Sequence, residues 1–289
     1  MLVFSGVLYK RIKVTQRQKY IIEVQKNETV IQKHLVEEKN KEISDSIQYA
    51  KHIQDAILPS TSLLTQYLKN GFVYFNPKDI VSGDFYWIEK VGTSIYFAAA
   101  DCTGHGVPGA MVSVVCANAL SKALLEEKYS DTGKLLDRTR YLVVESFSGS
   151  DGEVNDGMDI SLCRLDGLTM QWSGANNPLW IIRKDSTEVE EFKADKQPIG
   201  RSDKSNPFKT HIIQLNKGDS IYLFTDGYAD QFGGEKGKKF MYKPLKEFLL
   251  KISIMSMDEQ KELIADQFSN WKGNLEQVDD VCLIGVKID

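Results

Sequence analysis

Residues 81–110 read VSGDFYWIEKVGTSIYFAAADCTGHGVPGA. Two apolar runs, FYWIEK and SIYFAAA, flank Val91-Gly92-Thr93, which reads as a hairpin turn between two strands. Asp84 stands just before the first strand and Asp101 where the second stops, and a glycine-rich loop then opens into a helix. Further out, Asp226 follows the apolar run SIYLF, and Asp279 precedes a closing strand, VCLIGVKI. Taken singly, each aspartate reads equally well as a turn or N-cap residue. Four of them at the ends of buried strands form an oxygen donor set suited to hard divalent cations such as Mg²⁺ or Mn²⁺. Glycines beside them let backbone approach an ion closely, so the carbonyl of Cys102 joins the candidate ligands.

The flanking sequence supplies a scaffold. FVYFN, ending at Asn76-Pro77, reads as a strand, and VPGAMVSVVCANALSKALLEE as a buried helix whose small residues allow close packing. A second helix covers roughly 134–147, and SGSDGEVNDG (148–157) is a loop. MDISLCRLD and LTMQWSG are joined by Asp166-Gly167, a hairpin signal. PLWIIR and STEVEEFK turn at Lys184-Asp185, while Asn216-Lys217-Gly218 splits HIIQL from DSIYLF. A glycine-lysine loop, FGGEKGKKF, leads to two helices near 243–254 and 257–271. Strands joined by short turns, with helices in pairs, predict an α+β fold: an antiparallel β-sandwich flanked by helices in four layers, αββα.

A long arm precedes it. From about Gln16 to Ile57 there is no Gly or Pro, and Lys, Glu and Gln abound, which favours one helix of ~60 Å. Ile22, Thr29, Val36, Ile43, Ala50 and Ile57 recur every seven residues, with Lys33, Asn40, Ile47 and Gln54 at companion positions. Polar companions weaken a coiled coil but fix its register. We therefore expect a coiled-coil regulatory and dimerisation arm over 1–58, with packing of 43–58 onto the globular part as the competing reading. A linker helix is expected over 59–71, closed by Gly71, and a catalytic-type domain over 72–289. The start, MLVFSGVLYKRIKV, reads either as a frayed terminus or, over 1–9, as the remnant of a membrane anchor, because its charges follow the apolar part.

Composition narrows the function. With 289 residues, 42% hydrophobic and 26% charged, the chain suits one large domain plus an arm. A net charge of −4 leaves no broad basic face for nucleic acid. Cys102, Cys116, Cys163 and Cys282 form no C-x-x-C pair and suit reduced thiols in a cytoplasmic protein, at most at the cytoplasmic face of the membrane. Cys102 lacks the downstream arginine that a tyrosine-phosphatase nucleophile needs, no D-x-D-x-[TV] signature occurs, and GGEKGKK lacks P-loop spacing.

SGDFYW, ADCTGHGVPGAM, GDSIYLFTDG and VDDVCLIGV resemble, in order and spacing, the motifs of the metal-dependent type 2C (PPM) serine/threonine protein phosphatases, most closely the bacterial SpoIIE-type branch. The resemblance covers roughly 72–289. It implies two Mn²⁺ or Mg²⁺ ions, with Asp101 bridging both, the Cys102 carbonyl as a further ligand, Asp84 binding directly or through water, and Asp226 and Asp279 completing the ligand set of the second ion. It also implies a phosphoserine or phosphothreonine substrate on a regulatory protein such as an anti-sigma-factor antagonist. Asp280 is the substitute if Asp279 is misassigned. Three departures stand out: Trp87 where relatives carry an acidic residue, no arginine matching the phosphate-binding one, and Asp159 where relatives carry a hydroxyl. Asp159 reads as a turn residue or an auxiliary carboxylate, and His105 as a general acid or a loop histidine bonded to backbone. Two other classes compete: a non-catalytic interaction module of the same fold, and a hydrolase of small phosphate esters.

Overall fold

The helix read from Gln16 starts earlier. In the computed structural model, which describes residues 2–148, 156–202 and 205–289, α1 spans Leu2–Ile57. By contact density the chain divides after Tyr49. In the first unit the helix carries exposed apolar side chains, Ile22, Val36 and Ile43 among them, as expected of a narrow stripe with no core of its own.

The second unit, Ala50–Asp289, takes in the end of α1 and the segment read as a linker. Helix α2 (Thr61–Tyr67) stops before Gly71, which opens strand β1 (Gly71–Asn76) rather than closing the helix. The chain continues through β2 (Phe85–Val91), β3 (Ser94–Cys102), α3 (Gly106–Ser121) with a π-helical turn over 122–126, and α4 (Thr132–Phe147). Then follow β4 (Met158–Asp166), β5 (Thr169–Ala175), β6 (Leu179–Ile182), β7 (Glu190–Phe192), β8 (His211–Gln214) and β9 (Ser220–Phe224). After α5 (Gly227–Asp230) comes a small hairpin, β10 (Phe232–Gly233) and β11 (Lys238–Lys239), where the sequence suggests only a loop. Helices α6 (Tyr242–Ile252) and α7 (Met257–Lys272) precede β12 (Val281–Lys287). The loop expected at 148–157 falls largely on residues 149–155, outside the described residues.

Two five-stranded antiparallel sheets result, ordered β1-β12-β9-β6-β7 and β2-β3-β4-β5-β8. Asn216-Lys217-Gly218 looks like a hairpin turn, yet β8 and β9 lie in different sheets, so this turn passes the chain across the sandwich. Strand alternation builds three apolar layers. Phe85 and Trp87 face α3 and α4; Tyr86 and Ile88 face the opposite sheet. The other sheet turns Tyr222 and Phe224 toward α6 and α7. The four-layer αββα sandwich is thus as the sequence leads one to expect. Trp87 is buried beneath the helices, its Nε1 donating to Ser121 Oγ at 2.9 Å. It is a core residue remote in role from any metal shell. The apolar composition of residues 106–126, long and hydrophobic enough for a membrane, follows from burial of that helix against the sheet.

Candidate metal centre

Asp84, Asp226 and Asp279 stand on three separate loops and Asp101 near the end of β3, and glycines and one buried carboxylate hold these segments together. A Cβ on Gly83 would lie 2.3 Å from the Gly104 carbonyl, so only glycine lets the Asp84 loop rest against the loop after Asp101. Likewise a Cβ on Gly227 would meet the Asp280 carbonyl at 2.0 Å, which joins the Asp226 and Asp279 loops. Asp280 itself is buried, and its two oxygens accept from Lys78 N and Gly83 N, each at 2.8 Å. Its side chain is therefore committed to tying the 78–84 loop to the start of β12, and it is no substitute for Asp279.

A third tie comes from α1. Gln54 is buried; its Nε2 donates to Ser82 O at 2.7 Å and Ser113 Oγ at 3.1 Å, and its Oε1 accepts from Ser82 N at 3.2 Å. Sequence reading placed this residue at a coiled-coil companion position. The structure makes it a hydrogen-bonding plug behind the residues that lead to Asp84.

Asp101, Asp226 and Asp279 line a cleft of about 340 Å³ with Cys102, His105 and Asp159. Asp159 pairs directly across the sheet from Asp101, and its Oδ1 accepts from Asn176 Nδ2 at 2.8 Å. Of the two readings of Asp159, turn residue or auxiliary carboxylate, the structure places it as a carboxylate of the cleft, with Asn176 as its partner. Alternation was the available signal: in MDISLC, the residue opposite Asp101 must share its face. His105 is exposed at the rim, Nδ1 lying 3.1 Å from Asp79 Oδ2 and Nε2 3.4 Å from Lys78 Nζ. A side-chain pair, not the backbone, orients it. Pro198 and Gly200 complete the wall.

Electrostatics show what the cleft lacks. Burial, then the neighbouring Asp101, pushes the Asp84 carboxyl well above the usual carboxylate range. Burial together with Asp226, Asp279 and Asp159 pushes Asp101 up to about 8. Asp226 is raised to about 6 by burial and by Asp230, Asp279 and Asp159. Burial raises Asp159 as well. Asp84 Oδ2 is buried with no hydrogen-bond partner. Among the described residues no lysine or arginine lines the cleft. Among the described residues no three acidic, His or Cys side chains already surround one point as a finished cage. What the chain provides is a group of desolvated carboxylates and an orphaned oxygen, which fits a divalent cation with waters filling the remaining positions.

The same shifts predict an unusual pH dependence in chelator. Unfolded aspartate titrates near 3.9, so between about pH 4 and 8 the folded state holds more protons than the unfolded one. Stability contributed by these groups is complete below the unfolded value and is lost as pH rises through the folded values. Melting temperature in EDTA should fall from pH 5 to 8, and added Mn²⁺ should remove the decline. A melting temperature flat across that range in EDTA would show that the carboxylates do not repel one another.

An αββα sandwich with carboxylates converging at one end of its sheets defines a type 2C phosphatase domain. Residues 92–289 match the family model for stage II sporulation protein E (SpoIIE), and the chain belongs to that family. Phosphoserine phosphatase RsbU of Bacillus subtilis (strain 168) is 25% identical over 192 residues, 66% of this chain. The chain spans 55% of that relative's length. Among solved structures, the SiaA-PP2C domain of Pseudomonas aeruginosa has a TM-score of 0.79 at 29% identity, covering 87% of this chain and 99% of that one. The phosphatase domain of SpoIIE from Bacillus subtilis, with a fragment of its regulatory domain, shares the fold at TM-score 0.62 and 21% identity, over 76% of this chain and 61% of that one.

Proposed function

We propose that this chain is a metal-dependent protein serine/threonine phosphatase whose 72–289 segment carries the chemistry and whose helical arm, residues 1–58, controls it. The observation that carries this reading is the desolvated group of Asp84, Asp101 and Asp226, with no lysine or arginine lining the cleft among the described residues. Asp84, Asp101, Asp226, Asp279 and the Cys102 carbonyl would hold two ions, Mn²⁺ or Mg²⁺. When bound, such ions supply Lewis acidity, acidifying a water and offsetting charge on a phosphoryl group. The chain's own part is positional. Asp280 and Gln54 fix the loop before Asp84, and Asn176 fixes Asp159 so that its second oxygen is left to take a proton from water in the cleft. Asp79 holds the His105 ring at the rim, where a leaving seryl oxygen would depart.

The substrate we infer is phosphoserine or phosphothreonine on a small bacterial regulator, such as an anti-sigma-factor antagonist, met in the cytoplasm. The kinship with a phosphoserine phosphatase supports this. Exposed Ile22, Val36 and Ile43 at heptad spacing support a homodimer through the arm.

Hydrolysis of p-nitrophenyl phosphate should require Mn²⁺ or Mg²⁺ and be abolished by EDTA, and phosphoserine peptides should turn over as well. Phosphopeptides refused while small metabolite esters react would favour the small-ester hydrolase. No hydrolysis of any phosphate ester with either metal would leave a non-catalytic interaction module.

A further inference from the structure

A second groove, about 570 Å³, lies beside the cleft, between one face of α4 and the segment linking β7 to β8. Arg140, Tyr141, Glu145 and Ser148 form the helical wall, at spacings that share a helix face, and Gly200 and Ser205 lie on the other side. Gly200 lines both this groove and the cleft, so the two are continuous.

We infer that this groove seats the polypeptide flanking the phosphoresidue, as an extended segment bearing a lysine or arginine. The inference rests on the phosphoprotein reading and adds a sequence preference to it. Length is the first argument. Along α4 the lining runs from Asp137 to Ser148, about 16 Å at 1.5 Å per residue, which matches about five residues of extended chain at roughly 3.3 Å each.

Charge is the second. Arg140 is committed inside the protein: Nη2 donates to Asp137 Oδ1 at 2.9 Å and Asn206 O at 3.1 Å, and the guanidinium stacks 4.8 Å from the Phe208 ring. Asp137 is neutralised in the same contact and also accepts from Phe208 N. Arg201 lines the groove and is engaged within the chain. The exposed Glu145 carboxylate has no hydrogen-bond or ion-pair partner among the described residues, so the charge left for a partner is negative. The Arg138 guanidinium, paired with Glu127, lies 4.6 Å from the centre of the Tyr141 ring, and the ring, 55% exposed, offers its remaining surface to the aliphatic stem of a long cationic side chain.

The test uses the full chain with saturating Mn²⁺, p-nitrophenyl phosphate, and phosphoserine peptides carrying either Lys or Glu at each flanking position. Wild type should show a KM about tenfold lower for the preferred Lys peptide than for its Glu counterpart. Glu145→Lys should reverse that order, and Tyr141→Ala should raise KM for the Lys peptide. Turnover of p-nitrophenyl phosphate, too small to reach the groove, should stay within about twofold in both variants. Peptide hydrolysis whose Lys/Glu order is the same in Glu145→Lys, or p-nitrophenyl phosphate turnover that falls in parallel, would overturn the groove assignment alone. Wild type that hydrolyses no phosphoserine peptide would overturn the phosphoprotein reading, and the groove with it.

Discussion

Asp101→Asn is expected to lower phosphatase turnover by about a thousandfold or more, ~4 kcal/mol of lost transition-state stabilisation, while making the metal-free protein more stable. The two effects have one cause. Asp101 is the most centrally placed carboxylate of the group: Asp226, Asp279 and Asp159 all raise its pKa, and it raises that of Asp84 in turn. In the metal centre we propose, that position would make it a ligand to the bound metal. Without ions, the same position concentrates like charge in a desolvated space, and near pH 7.5 removing the charge relieves it. Asparagine keeps the shape and a neutral oxygen but cannot offset a divalent cation as a carboxylate does. Assays against p-nitrophenyl phosphate with Mn²⁺, with parallel melts in EDTA at pH 7.5, separate the outcomes. A variant that keeps a tenth of wild-type turnover would remove Asp101 from the centre. One that loses activity and also melts lower in EDTA would mean the residue is merely structural.

Much of this was legible in the sequence because it depends on local pattern. The apolar runs FYWIEK and SIYFAAA on either side of a turn marked two strands of the sandwich, and the aspartates were visible because each follows or precedes an apolar run. What could not be read were relations between segments distant along the chain. Nothing local marks the turn at 216–218 as a crossing between sheets, since a hairpin and a crossover of that length use the same residues. Trp87 looked like a vacancy in a metal shell until alternation along β2 assigned it to the helix-facing side. Asp279 and Asp280 are adjacent and chemically alike, yet one lines the cleft and the other accepts two backbone amides. Only the position of the 78–84 loop tells them apart.

Gln54 is the clearest case of a residue whose meaning changed, and it carries the second large effect. As a heptad companion it would face a coiled-coil seam; buried in the globular unit, it satisfies both the N–H and the C=O of Ser82, two residues before Asp84. Asp280 holds the neighbouring Gly83 N–H, so the run into Asp84 is fixed from two sides. Gln54→Ala leaves the buried Ser82 amide without a partner and its carbonyl with only the 3.4 Å hydrogen bond from Ser113 Oγ, at about 1–3 kcal/mol for the lost amide partner. Asp84 then loses its fixed place. Since about 1.4 kcal/mol is a factor of ten, the Mn²⁺ concentration for half-maximal activity should rise between about tenfold and a hundredfold. Turnover at saturating Mn²⁺ should return to within a few fold of wild type, because no group that faces the cleft has been removed. Gln54→Glu keeps the acceptor for Ser82 N–H and loses the donor to Ser82 O, so its metal requirement should fall between the two. A Gln54→Ala protein that melts lower but shows the wild-type Mn²⁺ requirement would show that the amide supports the fold without positioning Asp84. The arm would then have no route through this residue to the metal centre.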